Sequence, residues 1–281
     1  MSLFSPVRHA ASGVADPADS PHFWSGADAG VTFRGVGRSF GAHDVIAGVD
    51  LAVEPGEVIA VLGPSGCGKS TLLRLAAGLD APTAGSITIG DATVRTFDPR
   101  CAVAFQEPRL LPWRTLRENV ALGLPRTGRR RTAAEDARID ELLDLVGLSG
   151  FAGHRPRAVS GGMAQRTSLA RALARDPHVL LLDEPFGALD ALTRLRMQDL
   201  LLSVHAASPA TVLLVTHDVD EALQLADRIV LLGPDPAGDG DGAAGVRSVH
   251  TVPGTRPRDR GSADLARMRA DLFAALGVDT H

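Results

Sequence analysis

Gly63-Pro64-Ser65-Gly66-Cys67-Gly68-Lys69-Ser70-Thr71 lies between the apolar run 58–62 and the helix-like run 72–77. The segment matches G-x-x-x-x-G-K-[ST] between a strand and a helix, which is the context that confirms a phosphate-binding loop, or P-loop. Its glycines allow backbone N–H groups to point inward, and the start of the helix adds positive potential. The P-loop (63–71) therefore predicts a nucleotide site in which Lys69 contacts the β- and γ-phosphates and Ser70 binds magnesium.

A pair of acidic residues follows the apolar run 179–182, at Asp183 and Glu184. An Asp at the end of a buried strand can hold the magnesium shell, as in P-loop NTPases. Glu184 would then face the reacting end of the nucleotide, where a carboxylate can orient and deprotonate water. Adjacent acids after a strand also occur in ordinary solvated turns, but a P-loop in the same chain favours the catalytic interpretation.

The hydrophobic pattern changes twice along the chain. Short apolar runs predict a strand-rich N-terminal part, at 31–33, 45–53, 58–62, 86–89 and 102–105. Helical spacing follows between 116 and 173, as at Ile139, Leu142, Leu143 and Val146. Apolar strands (179–182, 211–216, 228–232) then alternate with helices (191–206, 218–226). This alternation predicts a buried parallel sheet, and thus an α/β fold with an inserted helical subdomain at about 114–173.

Composition divides the chain into three parts. Residues 1–30 lack a continuous apolar stretch and predict a disordered extension. We expect the main domain at 31–250 and a C-terminal helical tail at 251–281 that packs on it, with Leu265, Met268, Leu272 and Leu276 at helical spacing. The basic segment 126–131 and the Gly- and Asp-rich segment 234–245 predict surface loops.

Charge and cysteine content argue against several classes of protein. The 29 Lys and Arg against 33 Asp and Glu give a net charge of -4, so we expect no nucleic-acid partner, which would require a basic face. The 2 cysteines fit neither a zinc site nor a disulfide framework, which favours a reducing cytosol. The aliphatic runs are also far shorter than the roughly 18 residues of a membrane span, and we expect that the chain does not cross a bilayer.

A third segment, Val159-Ser160-Gly161-Gly162-Met163-Ala164-Gln165-Arg166, resembles the LSGGQ signature of the ABC ATPases, with Val in place of Leu and Met in place of Gln. The resemblance implies the ABC ATPase fold, in which an N-terminal antiparallel β part lies beside the parallel core sheet. It also implies that Ser160, Gly161 and Gly162 contact the γ-phosphate of ATP held by a second copy, at a helix start suited to an anion. Catalysis would then need a dimer with two ATP molecules between the copies.

The same resemblance implies roles for further residues. Gln106 resembles the Q-loop glutamine, which contacts Mg²⁺ together with Ser70 and Asp183 and senses the permease. Asp190 resembles the D-loop aspartate that crosses to the other copy. His217 resembles the H-loop histidine at the γ-phosphate, although a lone His at a strand end is often structural. Phe40 lies where the family stacks an aromatic ring on adenine, and a core Phe is the alternative.

Segments 109–113, 118–124, 189–200 and 256–258 are similar to those of nitrate, sulfonate and taurine importer ATPases, and most similar to the aliphatic-sulfonate branch. This implies an ATP-hydrolysing subunit on the cytoplasmic face of the inner membrane. Its expected partners are permease subunits and, indirectly, a periplasmic or extracellular solute-binding protein. Trp113 is a candidate for a groove that accepts a permease helix, with ordinary packing as the alternative.

Three other functions stay open. Taurine or nitrate could be the solute. An ABC ATPase that works on DNA or ribosomes usually has two cassettes or a long coiled coil, and this sequence shows neither. A regulatory module that binds ATP without hydrolysing it is disfavoured by Lys69, Asp183, Glu184 and His217.

Overall fold

The computed structural model describes residues 29–125, 130–207, 209–234 and 242–277. Its strands are β1 (Val31–Phe40), β2 (His43–Val53), β3 (Val58–Leu62), β4 (Ala84–Ile89), β5 (Ala92–Thr93), β6 (Cys101–Ala104), β7 (Val179–Asp183), β8 (Thr211–Val215), β9 (Arg228–Pro234) and β10 (Ala244–Thr251). Its α-helices are α1 (Lys69–Ala76), α2 (Leu116–Ala121), α3 (Ala133–Leu145), α4 (Gly161–Leu173), α5 (Ala191–Ala207), α6 (Val219–Leu225) and α7 (Ala263–Ala275).

The strands form a mixed sheet in the order β5-β4-β1-β2-β10-β9-β3-β8-β7-β6. The segment from β9 to β6 is parallel throughout, whereas β1 pairs antiparallel with β2 and β4. Helices α2, α3 and α4 lie between β6 and β7 in the chain. The predicted fold class is therefore confirmed: a parallel core sheet, an N-terminal antiparallel part and an inserted group of helices.

Both faces of the parallel sheet are covered. Within β3, Val58, Ala60 and Leu62 pack into one hydrophobic core with the helices α2 to α7, while Ile59 and Val61 face a second core with α1 and the N-terminal strands. Every residue of β3, β7 and β8 is buried, which explains why these strands appear as unbroken apolar runs rather than alternating ones.

Parallel pairing places the functional candidates at one edge of the sheet. β3 lies beside β8, and β8 lies beside β7, with matched registers such as Val61 opposite Val215. The carboxyl ends of these strands therefore lie side by side. The P-loop follows β3, Asp183 is the last residue of β7, and His217 comes two residues after the end of β8. The fold thus gathers residues more than a hundred positions apart in the sequence.

The C-terminal part packs on the sheet through α7, whose Leu265 and Leu272 are buried. The strand β10 was not predicted, because 234–245 was assigned to a loop and the pattern beyond it is weak. Most residues of β10 are only partly buried or exposed, so its hydrophobic alternation is faint. Residues 1–28 and 126–129 lie outside the described residues, and the predicted domain boundaries stay predictions.

Among the described residues, no helix combines the length and the apolar character that crossing a membrane requires.

Two arginines of the C-terminal part bind the last carbonyls of α6. Arg258 donates from Nη1 to the carbonyl oxygens of Leu223 and Gln224 at 3.1 and 3.3 Å, and Arg256 donates to the carbonyl of Leu225 at 3.1 Å. Carbonyls at a helix C-terminus have no partner within the helix, and a cation there also interacts favourably with the helix dipole. Burial lowers the pKa of Arg258, which is 9% exposed.

We expect the Arg258→Met variant to lower the free energy of unfolding by about 1.5–3 kcal/mol, because charge-assisted hydrogen bonds to buried carbonyls are lost. The melting temperature of the full chain should fall by roughly 3–10 °C in calorimetry. Arg267→Met, on the exposed face of α7, is the matched control and should melt like the wild type. Equal melting temperatures for both variants would contradict the capping role.

Candidate active site

The P-loop is shaped by glycines at close approaches. A Cβ on Gly63 would lie 2.1 Å from the carbonyl oxygen of Leu232, and Gly68, with φ of 95°, would place a Cβ 2.9 Å from Ile46. Neither position accepts a side chain without moving the strands beside it. Cys67 lies under the loop with its Sγ 3.5 Å from the Leu232 carbonyl oxygen, and burial raises the pKa of its thiol. This environment fits a small packing residue.

Lys69 begins α1 and its ammonium group lies inside the P-loop. Its Nζ donates to the carbonyl oxygens of Gly63 and Pro64 at 2.8 and 2.7 Å, and the residue is only 8% exposed. An ammonium group has three donors, so one donor beyond these two can bind an anion. The lysine therefore holds the loop closed and brings a positive charge to the start of α1.

Ser70 and Asp183 meet across the P-loop and the end of β7. The Ser70 hydroxyl donates to Asp183 Oδ1 at 2.9 Å. Burial raises the pKa of Asp183, and the hydrogen bond from Ser70 opposes this shift. A hydroxyl and a carboxylate at this separation are hard oxygen ligands of the kind that Mg²⁺ prefers, so the residues fit the predicted metal.

No group of three or more His, Cys, Asp or Glu residues that could hold a metal ion occurs in the described part of the chain. Mg²⁺ usually keeps several waters and takes one or two protein ligands together with substrate phosphates. Ser70 and Asp183 would supply those one or two protein ligands.

Glu184 lies at the centre of a cluster of polar side chains. Its Oε2 accepts a hydrogen bond from Gln106 Nε2 at 2.9 Å and lies 3.3 Å from His217 Nδ1. The backbone of Glu184 has φ of 45°, in the left-handed region that costs a non-glycine residue of order 1–3 kcal/mol. Its backbone N–H donates to the Val215 carbonyl oxygen at 2.9 Å, which helps to hold this conformation. Gln106 and His217, predicted from separate motifs, therefore converge on the carboxylate of Glu184.

The signature segment begins α4. Ser160 is the N-cap of this helix, and its Oγ accepts a hydrogen bond from the Met163 N–H at 3.3 Å. Gly162 packs against the loop 187–190, where an added Cβ would lie 3.0 Å from the Leu189 side chain. Gly161 has open space around it. Among the described residues, the hydrogen bond of Ser160 stays within α4 and does not reach the P-loop.

Phe40 and Asp190 lie on the surface of the chain. Phe40 ends β1 at 50% exposure, with the Arg38 guanidinium 4.4 Å from its ring centre. One face of the ring is thus covered by a cation. Phe40 is not a core residue, so the alternative interpretation is wrong. Asp190 Oδ1 accepts from the Thr193 N–H at 3.0 Å at the start of α5. Hydrogen bonds from the Thr193 side chain and backbone lower the pKa of Asp190.

Two residues that the motifs did not identify tie α4 to the segment around Gln106. Gln165 donates to the Phe105 carbonyl oxygen at 3.0 Å, and Arg171 donates to the carbonyls of Pro108 and Arg109 at 2.7 and 2.9 Å. These contacts join positions about sixty residues apart, so no local pattern could have revealed them. Hydrogen bonds therefore join the signature helix to the segment that carries Gln106.

Glu221 is a further acid close to the site. Burial and the charges of Asp218 and Glu184 raise its pKa to about 8, although Arg194 acts against the shift. Its carboxyl group interacts with the Thr216 side chain, and its Oε1 is buried without a hydrogen-bond partner. Glu221 lies within the predicted helix 218–226, and no sequence motif indicates a role for it.

The comparison with known families and proteins agrees with this geometry. The model of the ABC transporter family matches residues 46–187. The chain is 44% identical over 249 residues to the aliphatic sulfonates import ATP-binding protein SsuB 1 of Xanthomonas axonopodis pv. citri, an alignment that covers 88% of this chain and 96% of the relative. It is 48% identical over 246 residues to the protein of the same name from Mesorhizobium japonicum, covering 87% of each chain.

Solved structures are similar as well. The ATP-binding cassette MJ0796, in a dimeric post-hydrolysis state bound to ADP and Pi, superposes with a TM-score of 0.70 at 32% identity, over 80% of this chain and 100% of that one. A second dimeric structure of MJ0796 superposes with a TM-score of 0.71. The family match, the identity to full-length relatives and the shared fold together establish that the chain belongs to the ABC transporter family.

Proposed function

We propose that this chain is the ATP-binding and ATP-hydrolysing subunit that energises an ABC importer of aliphatic sulfonates. The observation that carries the proposal is the position of Glu184, between Gln106 and His217 and next to Asp183. A carboxylate held there by two side chains can accept a proton from a water molecule at the γ-phosphate. The P-loop next to it supplies the phosphate site.

Each residue of the site has a distinct part in hydrolysis. Lys69 and the P-loop N–H groups bind the β- and γ-phosphates, and Phe40 stacks on the adenine with the face that Arg38 leaves open. Glu184 orients the attacking water and takes its proton. His217 contacts the γ-phosphate and limits the rotation of the Glu184 carboxylate. Gln106 holds the same carboxylate from the other side.

Ser70, Asp183 and Gln106 would hold Mg²⁺, which neutralises the charge on the β- and γ-phosphate oxygens when it is bound. The Ser70 hydroxyl donates to Asp183 Oδ1, so the two oxygens lie 2.9 Å apart. The raised pKa of Asp183 is expected to fall when a cation lies beside it, because opposite charge favours the ionised carboxylate.

A second copy of the chain completes the site. The N-terminus of α4, with the N-cap Ser160 followed by Gly161 and Gly162, binds the γ-phosphate of the ATP held by the partner. Asp190 reaches across the same interface. The dimeric state of the MJ0796 cassette supports this arrangement. Two ATP molecules would then be bound between two copies, and hydrolysis would let the copies separate.

The permease docks beside Gln106. A cavity of about 330 Å³ lies between the sheet and the inserted helices, and its lining is mostly apolar, with Phe105 and the exposed Phe97, but also includes Asp98, Arg171 and Arg175. Trp113, 66% exposed, follows in the same connection between β6 and α2. An apolar cavity with exposed aromatic side chains suits a helix from a membrane subunit. The chain would accordingly lie on the cytoplasmic face of the cell membrane as a peripheral subunit.

Aliphatic sulfonate is the proposed solute because the relatives from Xanthomonas and Mesorhizobium are named aliphatic sulfonates import ATP-binding proteins. Their alignments cover 88% and 87% of this chain. This subunit does not contact the solute, so the assignment depends on the likeness alone. Taurine and nitrate are the competing solutes.

The Glu184→Gln variant should bind ATP like the wild type but lose turnover by about 10²–10⁴-fold, because the amide cannot accept the proton. Phosphate release and nucleotide binding, measured separately on the purified chain, check this. Glu141→Gln, an exposed acid on α3, is the control and should hydrolyse ATP normally. Normal turnover in the Glu184 variant would show that another group is the base.

Co-purification of the chain with its permease, followed by ATPase assays in liposomes, tests the transport assignment. We expect binding protein loaded with an alkanesulfonate to stimulate hydrolysis, and empty binding protein to stimulate it much less. Stimulation by taurine- or nitrate-loaded binding protein instead would contradict the proposed solute, while the assignment as an importer subunit would stand. Failure to bind any permease would favour an ABC ATPase that works without a membrane partner.

A further inference from the structure

Arg194 connects two loops at the edge of the site, and no motif identified it. It lies in the first turn of α5, where its Nη2 donates to the Leu189 carbonyl oxygen at 3.2 Å. Its Nη1 forms an ion pair with Asp218 Oδ2 at 3.5 Å. The guanidinium group therefore joins the loop 187–190 to the segment that follows β8. The two side chains are 34% and 30% exposed, so water screens the pair only in part.

The loop 187–190 contacts the signature helix of the same chain. Gly162 approaches both residues in the middle of this loop, since a Cβ on it would lie 3.3 Å from the Ala188 carbonyl oxygen and 3.0 Å from the Leu189 side chain. The Leu189 carbonyl is the group that Arg194 binds. Leu189 therefore contacts both the α4 N-terminus and Arg194.

On its other side, Arg194 reaches the turn that presents His217. Asp218 uses one carboxylate oxygen for Arg194 and the other, Oδ1, to accept from the N–H groups of Asp220 and Glu221 at 2.9 and 3.1 Å. The Asp218 N–H donates to Thr216 Oγ1 at 3.0 Å. Hydrogen bonds therefore hold the residues on both sides of His217, Thr216 and Asp218.

These contacts connect the N-terminus of α4 to the turn that carries His217. Under the proposed function, the α4 N-terminus binds the ATP of the partner, while His217 acts on the ATP of its own chain. We propose that Arg194 is a positioning residue that couples the two ATP sites of the dimer, by linking the loop beside the signature helix to the turn that carries His217. Engagement of one ATP molecule then favours the hydrolytic position of His217 at the other.

The inference rests on the proposed function, and its test is the Arg194→Met variant of the full chain. We expect kcat to fall by about threefold to thirtyfold, the range expected for residues that modulate coupling between sites. The Hill coefficient for MgATP should fall toward 1, while ATP binding in a Glu184→Gln background stays within about twofold of the value without the Arg194 change. A residue that only stabilises the fold would not lower cooperativity at constant affinity.

Arg196→Met is the matched control, because Arg196 is exposed two residues further along α5. It should keep the wild-type kcat and Hill coefficient. Asp218→Asn gives a second variant, in which an amide oxygen can still cap α6 but the charge facing Arg194 is lost. We expect it to reproduce the Arg194 phenotype, and the double variant to be no worse than either single one.

The outcomes separate this inference from the proposed function. A wild-type Hill coefficient and kcat in Arg194→Met, with turnover still abolished in Glu184→Gln, would overturn the coupling role alone. Additive losses in the double variant would also overturn it, because the two residues would then act independently. Normal turnover in Glu184→Gln would instead contradict the proposed function.

Discussion

Parallel pairing of β3, β8 and β7 is the constraint on which the rest of the molecule depends. All three strands are buried on both faces, so helices must cover the sheet on each side. Their carboxyl ends then lie side by side at one edge of the sheet. The P-loop, Asp183 and His217 lie at this edge. The catalytic geometry is therefore a consequence of how the apolar strands are buried.

Contacts made by α4 extend this edge into a larger unit. Gln165 and Arg171 hold the segment after β6, and Gly162 packs against the loop 187–190. The helix whose N-terminus would face the partner's ATP is thus bound to the segments that carry Gln106 and Asp190. Under the proposed function, α4 thus connects the interface between copies with the segment that would face the permease and with the loop before α5.

Much of the site could be predicted from the sequence because its chemistry is local. The P-loop, Asp183 with Glu184, and the signature segment are each contiguous, and each directly joins a strand or a helix. Arg171, Arg194 and Arg258 could not be predicted, since each acts through backbone carbonyls or a carboxylate that only the folded chain brings near. The strand β10 was missed for another reason: it is half exposed and lacks a strong apolar pattern.

We propose that each hydrolysis site is built from two copies of the chain. Mixing two inactive variants tests this arrangement most directly. Lys69→Ala removes the P-loop cation and Ser160→Phe blocks the signature, so either homodimer should be inactive. A mixed dimer has one site with both parts intact. Equal amounts of the two should recover up to about a quarter of the wild-type rate, since half of the dimers are mixed and each has one of two sites. A mixture that forms mixed dimers yet stays as inactive as its components would contradict the account.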